Sequence, residues 1–372
     1  MSLEDAEKEA FSFGRNMPET HNNYSIGVYG IGMKRAVFKL GEDILIRSTH
    51  SPTLEEKESF TVPIKVNEWV VDDRLPWDFE ILDDEALEQD GVEIIVKNLT
   101  PGAESSFDSP AFLQNLRRII SRDYSLHINR GIKITLNGEV ISGWKIELRQ
   151  SDDFEPMRIE YEDSAEGDRV LIEVIGGMAA PPPETSEPDE NDESDRRFGW
   201  YVICNGRIVL AADKTEVSGW GTEGWPRWHR QYSGFIGLVL FTSEKASALP
   251  LTTTKRSVDT SSEVFRRARP RLREVTRMWI DYTNQRKQSM EEAKKKEAEA
   301  TAIPVYSIQK RPTVTLPKLI PTPAERIANI NYAVPVSKLK KLAKELGNIN
   351  MPYREVGIKT FDYTYDDLMG EE

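Results

Sequence analysis

Gly27, Gly30 and Gly32 fall at a G-x-x-G-x-G spacing in the stretch YSIGVYGIGMKRAVFKLG, directly ahead of a helical pattern over Met33–Leu40. Glycine reaches backbone angles that other residues avoid and lets the main chain approach a ligand closely. The first amides of a helix have no intrahelical partner, and the helix dipole adds roughly half a positive charge there. Together these features make an anion site, for which phosphate is the common occupant. The backbone of Gly27, Tyr29, Gly30, Ile31, Gly32 and Met33 would form the cradle, and Lys34 would add a point charge if its side chain turns back. The spacing is neither the dinucleotide fingerprint nor the P-loop. A second reading therefore stays open, a glycine-rich turn that lets a helix pack tightly on a strand.

Composition narrows the function classes. A length of 372 residues suggests two domains and a tail. The 38% hydrophobic content supports real cores, and the 30% charged content a soluble surface. A net charge of -13 argues against a broad basic face for nucleic acid, while leaving room for a local patch. Cys204 is the single cysteine, which rules out an internal disulfide and a cysteine-rich metal site and fits a reducing compartment. His21, His50, His127 and His229 are scattered without an H-x-x-x-H pair, so no zinc site is expected. The start MSLEDAEKEAF has neither the basic nor the apolar region of a signal peptide, and no run approaches the roughly 18 apolar residues of a membrane span. The expectation is a cytoplasmic protein without a membrane partner.

An α/β chain must position the glycine motif. EDAEKEAFSFG reads as a short helix, and Gly41 stands where a left-handed cap would close the helix over Met33–Leu40. DILIRS, FTVPIKV and GVEIIVKNL read as strands, Phe112–Leu126 as a helix, and Asn137-Gly138 as a hairpin turn. These elements make a first domain over 1–150. A second, over 151–290, holds the strands MRIEYE, RVLIEVIGG and GFIGLVLF and a second Asn-Gly hairpin at Asn205-Gly206. It ends in a long helix with Val264, Ala268, Leu272, Val275, Trp279 and Tyr282 on one face, capped by Ser261 or Ser262 and bent or started by Pro270. Residues 181–196 are proline-rich and acidic and are expected to form a disordered insertion. Over 291–372, EEAKKKEAEA reads as a solvated helical extension and IPVYSIQKRPTVTLPKLIPTP as an extended linker. VSKLKKLAKELG reads as a basic helix and VGIKTFDYTYDD as strand-like. Such a tail is expected to dock on its own body or on a protein partner.

Several of these segments, in order, resemble the GHKL ATPase superfamily, which includes DNA gyrase B, MutL, MORC proteins, sensor histidine kinases and the ninety-kilodalton heat-shock chaperones. GVYGIGMKRA resembles the family's phosphate-binding lid, and AFSFGR (Ala10–Arg15) the piece before it. DGVEIIVKNL resembles its late "GT" strand, keeping Gly91 but carrying Val92 where threonine is usual. VICNGRIV is similar to the "VNGR" turn of MutL-type transducer domains, and TTTKR to the loop whose lysine reaches the terminal phosphate, here Lys255.

The resemblance covers roughly residues 5 to 285. It implies part of a Bergerat-type ATP-binding domain followed by a transducer-like α/β domain. It also implies ATP and Mg²⁺ as cofactors, Lys255 as the catalytic cation, a homodimer, and coupling of ATP binding or hydrolysis to domain rearrangement. Without it, Lys255 reads as a solvated residue of a polar loop. Nothing in Met1–Gly14 matches the general-base glutamate, the Mg²⁺-binding asparagine or the adenine-binding D-x-G-x-G aspartate that the family places upstream. Glu4 and Asp5 read as a solvated helix face, and Asn16, Asn22 and Asn23 as lid residues. The expectation is a chain that starts just inside the domain, with most ligands of ATP and Mg²⁺ outside it. The alternative is a non-catalytic interaction module descended from the same fold. Two further segments are the places where nucleic acid would bind, WGTEGWPRWHRQY and RRARPRLR (Arg266–Arg273). The first also reads as aromatics folded under the second sheet.

Overall fold

The computed structural model describes residues 1–11, 24, 26–27, 30–53, 56–71, 78–184, 196–222, 224–319 and 328–370. It is a mixed helix-and-sheet protein in two compact units, Met1–Thr322 and Pro323–Glu372.

Ser2 caps α1 (Leu3–Asp5), its hydroxyl accepting from the Asp5 amide at 3.1 Å, and a π-helical turn carries the chain on to Ala10. Next come α2 (Gly32–Leu40), β1 (Gly41–His50), β2 (Glu58–Lys65), α3 (Val66–Val71), β3 (Leu82–Asp83) and β4 (Gly91–Leu99). The four strands form an antiparallel sheet in the order β3-β2-β1-β4. Ile44, Ile46, Phe60, Val62 and Ile64 alternate onto one face, where they are buried with Val37 of α2 and with Ala6 and Phe11. Gly41 is not the left-handed cap expected of it. Its backbone is extended (φ -167°, ψ -176°) and opens β1. A Cβ there would lie 2.7 Å from the Lys97 carbonyl oxygen, so close approach of β1 to β4 is what requires glycine.

Two helices follow, each with a hydroxyl cap: α4 (Pro101–Phe107) behind Thr100 and α5 (Pro110–Asp123) behind Ser109. After α6 (Ser125–Asn129), β5 (Ile134–Leu136) and β6 (Glu139–Ile141) form the expected hairpin, with positive φ at Asn137 and Gly138. Then come β7 (Glu147–Gln150), β8 (Met157–Ala165), β9 (Asp168–Met178), β10 (Gly199–Cys204), β11 (Arg207–Asp213) and β12 (Phe235–Thr242). The last five form a sheet in the order β11-β10-β12-β9-β8, with β10 and β12 parallel and the other pairs antiparallel. The Asn205-Gly206 turn joins β10 to β11, again with positive φ at both residues. Of the acidic insertion, residues 185–195 lie outside the described residues.

This sheet is buried on both faces. Trp200, Val202, Cys204, Val239 and Phe241 share one core with Val264, Ala268, Leu272, Val275 and Trp279 of α7 (Glu263–Arg286). Tyr201, Ile203, Ile236 and Leu238 share the other with Leu126, Leu148, Val305 and Ile308. The Trp200 indole lies over Gly237, where a Cβ would sit 2.5 Å from its ring, and its Nε1 donates to Thr276 Oγ1 on α7 at 2.9 Å. Pro270 lies inside α7, which continues past it to Arg286 without restarting. Ser262 is the N-cap residue of α7, but its side chain makes no capping bond.

The segment expected to be a solvated helical extension, α8 (Met290–Glu299), is buried along one side, at Ala293 and Glu297. Glu297 is buried and takes Arg286 Nε at 2.6 Å, Arg286 Nη2 at 3.0 Å and the Tyr282 hydroxyl at 2.6 Å. The linker that follows docks on unit 1. β13 (Thr301–Pro304) pairs antiparallel with β7, and the chain then crosses beside β8 through bridges from Arg311 to Arg158 and from Thr315 to Glu155.

The second unit holds α9 (Val336–Glu345) and α10 (Tyr353–Met369) around Ala343, Met351 and Val356. The terminal aromatic stretch is therefore helix rather than strand. Its local alternation of aromatic and polar residues suggested period two, but Ile358, Phe361, Tyr365 and Leu368 at spacings of three and four share one exposed helix face. The Thr360 and Thr364 hydroxyls bond back to the carbonyls of Val356 and Thr360, as helical threonines do. Among the described residues no helix is long and apolar enough to cross a membrane.

Two substitutions test this packing by chemical denaturation. Gly237→Ala drives a methyl into the buried Trp200 ring and should cost about 1–3 kcal/mol. Glu297→Ala strands a buried guanidinium and should cost about 3–5 kcal/mol, more than the substitution of an exposed pair such as Lys359–Glu355.

Candidate functional site

The glycine motif ends at an open helix start. Gly30 has φ 64°, the left-handed region that glycine favours. Ile31 is the N-cap residue without a side-chain capping bond, and the Arg35 amide makes the first helical bond, 3.0 Å to the Ile31 carbonyl. The amides of Gly32, Met33 and Lys34 precede that bond. Gly30, Ile31 and Gly32 are exposed, the first turn of α2 carries no acidic residue, and among the described residues nothing lies within 4 Å of a Cβ built at Gly32. This arrangement suits an anion. Tyr29 lies outside the described residues.

Lys34 does not face that opening. Its ammonium donates to the Ala10 carbonyl at 2.8 Å, the side chain is buried, and burial holds its pKa below the usual lysine range. The lysine thus ties α2 to the N-terminal helix, a role that its position in the first turn did not reveal.

Lys255 sits at the tip of the loop between Leu251 and Val258, which are bridged to each other. Its φ is 55°, uncommon for a residue with a side chain, and its amide donates to the Thr252 carbonyl at 2.9 Å. Thr252 Oγ1 stiffens the loop through the Ser257 carbonyl at 3.2 Å. Burial, then the positive charge of Arg207, hold the Lys255 ammonium below its ordinary range. Arg207 follows the Asn205-Gly206 turn, its guanidinium 5.2 Å from the centre of the Tyr124 ring and its buried Nε without a hydrogen-bond partner among the described residues. Burial and then Arg130 likewise lower His127, against the pull of a backbone hydrogen bond at Asn205. Lys255 and Arg207 thus make a half-buried cationic corner, with the His127 ring against Gly206 beside it. Sequence reading missed Arg207 and His127, although the NGR tripeptide was the available signal for the arginine.

The glycine motif and this corner rest on one hydrophobic core. Ile26 packs on the large core that also holds Val258 and Leu251. Ser243 Oγ donates to the Arg169 carbonyl at 2.8 Å. The Ser243 amide donates to Asn205 Oδ1 at 3.0 Å, two residues from Arg207.

The candidate nucleic-acid segments are largely committed elsewhere. Trp220, Trp228 and Tyr232 stack on one another and pack on the large core, as the alternative reading of that loop expected. On α7, Arg267 pairs with Asp163 and Glu263, and Arg271 with Glu274. Cys204 is buried, and burial raises its pKa, so it is no nucleophile. Among the described residues no group of His, Cys, Asp and Glu side chains could hold a metal ion.

No protein-family model matches this chain, and no curated protein matches it.

Proposed function

We propose that this chain is an ATP-binding protein of the GHKL type, with residues 1–150 the later part of a Bergerat-type domain and the second sheet its transducer. The observation that carries the reading is the solvent-exposed start of α2, which follows a left-handed glycine and has no acidic residue in its first turn. A lysine held in an unfavourable backbone conformation beside a second cation supports it, because such strain tends to persist where a site needs it.

The residues at hand fit the phosphate end of a nucleotide. They do not fit Mg²⁺, so no step is drawn through the metal. When bound, ATP would supply a phosphoanhydride and concentrated negative charge. The α2 amides would hold that charge and Lys255 would neutralise it, an electrostatic role. Hydrolysis is proposed only for a chain whose upstream segment brings the glutamate and asparagine that the family uses. A non-catalytic module is the second reading, favoured by the commitment of Lys34 to Ala10. In either case the exposed Ile358, Phe361, Tyr365 and Leu368 face would receive a protein partner.

Calorimetry with ATP, ADP and tripolyphosphate tests the reading. Gly32 has room for a side chain, so Gly32→Ala should leave affinity within about threefold, whereas Gly32→Asp sets a carboxylate against the phosphates and should weaken binding more than tenfold. Equal effects of the two would remove α2 from the site. Lys255→Gly should abolish most of the affinity yet raise stability by about 0.5 kcal/mol, because the left-handed backbone is relaxed. The charged ammonium is the binding form, so affinity is full at low pH. It is lost as pH rises through a Lys255 pKa lying below the ordinary value of about 10.4. Lys255→Arg should hold affinity through that range.

A further inference from the structure

We infer that β4 is a self-pairing edge, through which two copies of this chain join their first sheets across a two-fold axis at Ile95. The inference does not rest on the nucleotide reading. Among the described residues β4 is the outer strand of its sheet, so the backbone on its far side is unpaired within that sheet.

Its apolar residues point to what covers it. Ile94 registers against Ile46 and Val92 against Ser48, so both lie on the inward face of the sheet. Ile46 and Ser48 are 0% exposed, whereas Ile94 is 43% and Val92 46% exposed. Among the described residues, the core face thus continues onto β4 while its cover stops at β1. Long edges of this kind are ordinarily blunted by a central lysine, a proline or a bulge. Here Ile94, Ile95 and Val96 include no lysine or proline and keep an unbroken register against β1; the left-handed Asn98 interrupts it only past Lys97.

The charges select the second copy as occupant. In an antiparallel pair centred on Ile95, Glu93 of one copy stands directly opposite Lys97 of the other, and Lys97 opposite Glu93. The same two residues already register against Arg47 and Asp43 of β1, and Glu93 pairs with Arg47 at 3.3 Å. Across the joined sheets the outer face would read Arg47, Glu93, Lys97, Asp43, alternating in sign at every strand. On the inner face Ile94 falls opposite Val96, extending the apolar strip of Ile44 and Ile46. A parallel pair, or a register shifted by two residues, loses the Glu93–Lys97 matches. A two-fold interface must be self-complementary, and this register is.

Sedimentation velocity on the full chain without nucleotide, over a range of concentrations, should show a reversible dimer. Glu93→Lys alone and Lys97→Glu alone each place like charges opposite and should weaken it at least tenfold. The double variant Glu93→Lys with Lys97→Glu should recover the dimer, which a merely structural role for either residue would not do. Ile95→Cys should cross-link two copies under mild oxidation, because directly opposed residues lie within disulfide reach. Val92→Cys should not, being opposite Asn98. A chain that stays monomeric at all concentrations overturns the inference, and β4 amides protected from hydrogen exchange in that monomer would assign the edge to another strand of the same chain. A dimer indifferent to the charge swap overturns it as well.

Discussion

Double-sided burial of the β11-β10-β12-β9-β8 sheet is the constraint on which the larger unit depends. Strands β10 and β12 run in parallel at its centre, and their side chains alternate between two separate cores. One core needs α7; the other needs α6 together with Val305 and Ile308 from beyond α8. Neither face can be satisfied by local sequence alone. That is why the chain must travel out through α7, turn at the buried Arg286–Glu297 pair, and return along β7 and β8. A buried ion pair is a poor source of net stability, but it specifies geometry well, because a misplaced partner leaves a charge uncompensated. Here it fixes the point at which α8 folds back.

The proposed site draws its rigidity from this arrangement. Lys255 stands at the tip of an internally bonded loop, and Arg207 opens β11 just after a turn that Asn205 ties to the Ser243 carbonyl. The glycine motif reaches the same core through Ile26, so the two parts of the proposal share a foundation although they lie far apart in sequence. Lys34 and Lys255 illustrate opposite fates of a buried lysine. One has found a carbonyl and become structural; the other is raised on a left-handed backbone beside a like charge.

Much of this was legible because its signals are local. Both Asn-Gly turns, the strands Gly91–Leu99 and Phe235–Thr242, and the apolar face of α7 follow from period and turn chemistry alone. What was not legible depended on distant partners. Gly41 looked like a cap because its neighbours are helical, yet its reason is Lys97 on another strand. Glu297 looked solvated within a run of charges, and only the position of Arg286 makes it a core residue. The tail aromatics alternate over a few residues, and the helical period emerges only over the whole of α10. Of the proposed site, the glycines were visible as a motif, whereas Arg207 and His127 join Lys255 through folding alone.

The strap after β13 has a mechanical consequence. The chain beyond Leu319 leads to the second unit; before it, Thr315 and Arg311 are both held by the Glu155 side chain, Thr315 bridged to Glu155 ahead of β8 and Arg311 to Arg158 within β8. Tension on the tail therefore meets the buried Leu319 first and Thr315 next, and it reaches β8 through the Arg311–Arg158 bridge. The strap behaves as a graded fuse: small pulls from whatever the tail grips are absorbed at the margin, and the central strands feel only large ones.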